Sequence, residues 1–135
     1  TYCILGDGEL QEGQIWEAAM FIGAKKILDI CTIVDQNNFQ NELKVKDTLD
    51  MGNIKSKFIS FGFEVLQING HNYNQLVKSF NYFKSKKKRK KPLCIILKTI
   101  KGKGVSFMEN DGDWHSKKIN KKEFLNGMNE LQLKV

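Results

Sequence analysis

Two short segments carry oxygen ligands at a spacing that permits shared chemistry. One is Gly6-Asp7-Gly8-Glu9 and the other Asp35-Gln36-Asn37-Asn38, with Asp7 and Asn37 thirty residues apart. That separation is about the length of one strand–helix–strand unit. Adjacent parallel strands would therefore deliver a carboxylate and a carboxamide to the same sheet edge. Both groups offer oxygen, which suits a hard cation such as Mg²⁺. Two such oxygens and a backbone carbonyl leave coordination positions for a diphosphate and a water. The glycines flanking Asp7 allow close approach of a phosphate, and a following helix would point its positive end there. On spacing alone, ordinary turn chemistry accounts for the same residues.

The apolar patterning supplies the strands that must carry these segments. Residues 2–5 read as a buried strand. Residues 14–27 read as a helix, with Ile15, Ala19 and Ile22 on one stripe and Trp16, Met20 and Gly23 on the next. Residues 30–34 form a second strand, followed by a long polar loop. Ile54, Phe58 and Phe61 place a helix over 53–61, with Gly62 as its stop. A third strand at 64–68 ends at Asn69-Gly70. Leu76, Val77, Phe80 and Phe83 mark another amphipathic helix, and Pro92 precedes a strand at 93–97. Asn120 caps a last helix, with Glu123 three residues on. Strands that are apolar on both faces and alternate with helices predict an α/β fold, a parallel sheet flanked by helices. Ligands of such sheets collect at the carboxyl ends of the strands.

Composition narrows the rest. The 135 residues allow one domain, and 41% apolar with 27% charged residues describe a soluble globular protein. No apolar stretch approaches the ~20 residues of a membrane-spanning helix, and no signal-peptide pattern opens the chain. The net charge of +7 is accounted for by the seven cations at 84–91, so the remainder is neutral. That run reads as a solvated helix end and loop rather than a nucleic-acid face. Cys3, Cys31 and Cys94 lie in the apolar runs YCIL, ICTIV and LCIIL, form no CxxC, and are expected to be buried thiols of a reducing compartment. His71, in Asn69-Gly70-His71, reads as a turn histidine.

Longer stretches of text carry a resemblance. GDGELQEGQIWEAAMFIGAKK, IVDQNNFQ, LKTIKGKGVSFMEN and DWH closely resemble transketolase, in the part of its N-terminal domain that binds the diphosphate of thiamine diphosphate. The likeness runs from Gly6 to about His115, in the family's order and spacing. The GDG-to-NN pair is general to thiamine-diphosphate enzymes, whereas ELQEG and the KGKG-to-WH segment point to transketolase. The resemblance implies thiamine diphosphate and Mg²⁺ as cofactors, with Ca²⁺ or Mn²⁺ as substitutes. It makes Asp7 the carboxylate ligand of the metal and Asn37 the second ligand, also touching the diphosphate. Phe39 gives its backbone carbonyl as the third. Gly8 lies with its backbone against the cofactor. Lys101 and His115 lie near the diphosphate, and His115 also reaches the sugar substrate as a catalytic residue. Glu12 and Glu17 match acidic residues at the contact between subunits.

Elementary chemistry agrees with these roles. A cationic Lys101 would offset phosphate charge beside the metal, and His115 can donate a hydrogen bond to an oxyanion or hydroxyl. Without the resemblance, Lys101 reads as a solvated loop lysine. One departure is Ser116, where family members usually carry glycine after the Trp-His pair, and it is expected to alter the loop carrying His115.

The implied reaction moves a two-carbon ketol unit from a ketose phosphate to an aldose phosphate, a step of the cytoplasmic pentose phosphate pathway. Nothing in the sequence matches the family's stretch before the GDG strand or its second domain, whose glutamate activates the aminopyrimidine. Residues 1–135 therefore read as part of the transketolase N-terminal domain, starting abruptly inside an apolar run. Activity is expected only with a pyrimidine-binding domain or subunit, in a homodimer or heterotetramer that takes sugar phosphates. No nucleic-acid or membrane partner is expected. Two alternatives stand beside this one: a component of another thiamine-diphosphate enzyme, such as 1-deoxyxylulose-5-phosphate synthase or a dehydrogenase, and a non-catalytic fragment that keeps the fold.

Overall fold

Four strands of the computed structural model, which describes residues 1–85 and 89–132, pair in parallel. They are β1 (Tyr2–Gly6), β2 (Cys31–Gln36), β5 (Glu64–Asn69) and β6 (Leu93–Lys98), in the spatial order β1-β2-β6-β5. The sequence alternation is reproduced, with α1 (Gly13–Lys25) between β1 and β2, and α4 (Tyr73–Lys84) between β5 and β6. α3 (Ile54–Ser60) precedes β5, capped by the Asn53 side chain and followed by Gly62 at φ +89°. α5 (Lys121–Glu130) begins with the full Asn120–Glu123 capping box.

Side-chain alternation along the central strands divides the core in two. Val34, Cys94 and Ile96 face a cluster completed by Leu5, Leu10, Ala19, Ile54, Phe58 and Phe63, with Ile15, Trp16 and Ile22 of α1 against it. Cys31, Ile33, Leu93 and Ile95 face the other way, toward Phe80 and Phe83 of α4. Helices therefore cover both sheet faces, as parallel strands require. Burial pushes the Cys31 thiol up to about 11 and the Cys94 thiol up further, so both act as small hydrophobes.

Four expectations change. β1 is an edge strand, not a buried one: Tyr2, Cys3 and Ile4 are exposed, Ile4 at 70%, because no strand pairs on its outer side among the described residues. Met20 points outward from α1, since the helix turns only its Ile15–Ala19–Ile22 side and Trp16 to the sheet. The polar loop after β2 is structured, as the hairpin β3 (Phe39–Gln40) and β4 (Leu43–Lys44) and the short helix α2 (Val45–Leu49). In the basic run, Lys86, Lys87 and Lys88 lie outside the described residues, but Arg89 is buried rather than solvated. Its guanidinium donates to the carbonyls of Leu28 and Phe83, each at 2.9 Å, and stacks on the Phe83 ring. This side chain ties the end of α4 to the loop before β2.

Candidate functional site

β1, β2 and β6 deliver three loops to one edge of the sheet. Pairing of Gly6 with Asp35 brings the two oxygen-bearing segments together, and the Asp7 N–H donates to the Asp35 carbonyl at 3.1 Å. The Asp7 side chain is 2% exposed. Its Oδ1 accepts from Gly8 N at 3.1 Å and its Oδ2 from Asn38 N at 2.7 Å. Asn38, whose N–H meets the carboxylate, takes a left-handed conformation, φ +67°. Asn37 Oδ1 accepts from Phe39 N at 2.8 Å, a side-chain turn that closes the loop over Asp7.

The electrostatics of this clasp leave a buried carboxylate without a compensating charge. Burial raises the Asp7 pKa above the ordinary aspartate range, and the charge of Asp35 raises it further, against the backbone donors that lower it. No lysine or arginine pairs with it among the described residues. A hard divalent ion would reverse both unfavourable effects. The oxygens available for it are the Asp7 carboxylate, the second lone pair of the Asn37 amide and the Phe39 carbonyl, a donor set of the magnesium type. Beside the clasp lies a cleft of about 470 Å³, whose walls include Asp7, Asn37, Phe39, Lys44, Lys46 and Asn110.

Gly8 is required where it stands, although its nearest neighbour is a side chain. A Cβ there would lie 2.7 Å from Gln40 Cβ, so the hairpin packs directly on the Asp7 turn.

The loop after β6 is held differently. Thr99 donates its N–H to the Gln36 carbonyl at 3.1 Å and its hydroxyl to Asp35 Oδ1. The Lys101 carbonyl accepts from Asn110 N at 3.0 Å, folding the loop back so that Asn110 reaches the cleft. Glu109 accepts from Lys103 Nζ at 3.0 Å and Gly104 N at 3.1 Å. His115 is exposed at the end of the single turn Gly112–His115. Trp114 pins that turn through Nε1 to the Phe107 carbonyl at 2.8 Å, with Lys117 4.2 Å above its ring. Neither Lys101 nor His115 lines the cleft itself.

The family described as "Transketolase, thiamine diphosphate binding domain" matches residues 1–133. The chain belongs to that family. It is 36% identical over 131 residues to a 6-deoxy-6-sulfo-D-fructose transketolase subunit of Clostridium sp. (strain MSTE9), covering 97% of this chain and 47% of that protein. Identity to an apulose-4-phosphate transketolase subunit of Phocaeicola vulgatus is 35% over 115 residues, covering 85% of this chain and 40% of the relative. With human transketolase it is 33% over 121 residues, covering 90% and 19%. A transketolase from Campylobacter jejuni shares the fold at a TM-score of 0.88 and 33% identity, over 98% of this chain and 20% of that one. The chain thus spans less than half the length of these relatives.

Within this transketolase-family chain, Asp7, Asn37 and Phe39 converge at one clasp, with Gly8 beside them. Lys101 and His115 belong to a separate arm on the neighbouring strand end. Glu12 and Glu17 stand exposed at the start of α1. Ser116 gives the arm an anchor that glycine would lack. Its φ of −128° is open to any residue, and its hydroxyl donates to Glu42 Oε1 on the β3–β4 turn. Sequence reasoning missed Lys44 and Lys46 in the cleft wall, since both sit in the segment read as a polar loop. It also missed Glu42 and Asn110, which carry no local signal.

Proposed function

We propose that this chain supplies the metal- and diphosphate-binding part of a transketolase that moves a two-carbon ketol unit from a ketose phosphate to an aldose phosphate. Residues 1–135 form part of that enzyme's N-terminal domain. The observation that carries the reading is the Asp7 clasp: a buried carboxylate gripped by two backbone N–H groups, without a cation partner among the described residues, at the edge where the family's motif lies. Asp7, Asn37 Oδ1 and the Phe39 carbonyl hold Mg²⁺, and Ca²⁺ or Mn²⁺ can replace it. Thiamine diphosphate, when bound, supplies the nucleophilic carbon that carries the ketol unit.

The chain's own residues bind and orient. Gly8 presents its backbone, Asn37 and Lys101 contact the diphosphate, and Lys101 offsets its charge. His115, catalytic in this reading, donates a hydrogen bond to the oxyanion or hydroxyl of the sugar. The pyrimidine side of the cofactor comes from a further domain or subunit, through a contact that includes Glu12 and Glu17. The naming of two relatives as transketolase subunits supports such an assembly, a homodimer or a heterotetramer. The pentose phosphate pathway in the cytoplasm is the setting this reading implies. In the assembled enzyme, Asp7→Ala lowers Mg²⁺-dependent affinity for thiamine diphosphate about a hundredfold or more while the fold persists. Calorimetric titration reads the affinity and circular dichroism the fold; unchanged affinity would overturn the metal assignment.

A further inference from the structure

His71 is a turn histidine with a second task. Its N–H donates to Asn69 Oδ1 at 2.9 Å, which fixes the turn after β5. The preceding Gly70 N–H donates to the Lys98 carbonyl at 2.8 Å, laying that turn on the end of β6. From there the imidazole Nε2 accepts the Ile100 N–H at 2.8 Å. An accepting Nε2 carries no proton, so the ring acts here as a neutral acceptor.

Ile100 lies between two residues that are tied in other directions. Thr99 is bonded to Asp35 and Gln36 at the end of β2, and the Lys101 carbonyl to Asn110. Three consecutive residues are thereby fastened to the β2 end, the β5 end and the returning arm. Only the middle tie depends on a side chain outside the β2 and β6 loops. Its loss frees the Thr99–Ile100 peptide, one residue before Lys101, and leaves the next peptide held, among the described residues, only where the Ile100 carbonyl accepts from Lys103 N at 3.2 Å. We propose that His71 is a positioning residue for Lys101, acting through the Ile100 N–H. This rests on the reading of Lys101 as a diphosphate contact.

The test uses the assembled enzyme with Mg²⁺, and both thiamine diphosphate and inorganic pyrophosphate as probes. Glutamine can bring an amide oxygen to the place of Nε2, whereas asparagine is one carbon shorter and cannot. His71→Asn is expected to weaken both ligands about fivefold, the ordinary net worth of one neutral hydrogen bond, and to speed hydrogen exchange at the Ile100 amide. His71→Gln should restore affinity to within about twofold of the parent and bring back the slow exchange. Parent-like affinity in His71→Asn despite faster Ile100 exchange would overturn the positioning role. Equal weakening in both variants would overturn it too, because it would mark a general packing loss. Lys101→Met separates the underlying reading: unchanged affinity in that variant refutes the diphosphate contact itself, independently of the His71 results.

Discussion

The clasp around Asp7 and the arm that carries Lys101 and His115 lie on neighbouring strand ends, yet they are built on opposite principles. The clasp is buried and held by backbone N–H groups, in a register that two paired strands impose. The arm is largely exposed, and to its backbone turns it adds side-chain anchors: Thr99 on Asp35, Glu109 on Gly104, Trp114 on the Phe107 carbonyl, Ser116 on Glu42. A metal ligand needs a fixed position and a low-dielectric setting, which a strand end provides. A group that meets a changing substrate can stand on a loop, where each anchor contributes a separable amount. Single changes in the clasp should therefore abolish binding, whereas single changes in the arm should erode it.

The largest effect tests that contrast directly. Asp7→Ala is expected to lower cofactor affinity about a hundredfold or more, whereas Lys101→Met, which on the proposed reading would remove one charge-assisted contact, is expected to cost about ten- to hundredfold. Paired titrations of the two variants in the assembled enzyme decide it. A Lys101 loss that exceeds the Asp7 loss would reverse the ranking of the two regions.

Next comes the seam where the arm meets the hairpin. A Cβ on Gly112 would stand 1.8 Å from the Glu42 carbonyl oxygen, so Gly112→Ala forces the turn away from β3–β4. Destabilisation of about 1–3 kcal/mol follows from such overpacking, with His115 displaced and the Asp7 clasp intact. Denaturant melts give the first quantity. Hydrogen exchange should quicken at the 112–116 amides and stay slow at Asn38. Acceleration at Asn38 as well would show that arm and clasp move as one unit.

Trp114→Phe is a milder break in the same arm. It keeps the ring packing on Phe107 but deletes the Nε1–H donated to the Phe107 carbonyl. About 1 kcal/mol should be lost, with the turn's exchange protection reduced less than in Gly112→Ala. Equal or greater loss in Trp114→Phe would place the arm's main anchor at the indole rather than at the Glu42 seam.

The same contrast explains what was legible in the sequence. The parallel sheet, the helix cap at Asn120, and the Asp7–Asn37 pairing follow from local pattern and from strand–helix–strand spacing, which fixes position through backbone geometry. The hairpin after Asn38 was not legible because its two-residue strands are too short to show alternation. Exposure of β1 escaped because an apolar run cannot reveal how many neighbours a strand has. Arg89 looked like one more solvated cation, since only the fold brings the Leu28 and Phe83 carbonyls to its guanidinium. His71 carried a readable turn, but the Ile100 N–H is twenty-nine residues away. No periodicity links the two.

Acid separates the regions by sign, with the smallest effect of the series. The Gly104 N–H lowers the Glu109 pKa, and the Ser106 N–H lowers that of Glu130, in each case from the ordinary glutamate value of 4.5. A folded-state pKa below the unfolded one stabilises the protein above the unfolded value, and this support is lost as pH falls through the folded value. Asp7 runs the other way, because burial raises its pKa above 3.8. Its contribution is complete below 3.8 and is lost as pH rises through the folded value. In metal-free protein, acidification should therefore relieve the clasp and weaken the arm. Glu130 is exposed and Glu109 partly so, and solvent screens their effect, so the shift in melting temperature is slight. The advantage in melting temperature of the parent over Glu109→Gln should shrink as pH falls below 4.5. Relative to Asp7→Asn, the parent should instead gain as pH falls. Curves that move in the same direction would mean that clasp and arm answer to one shared titration, and the division between them would fail.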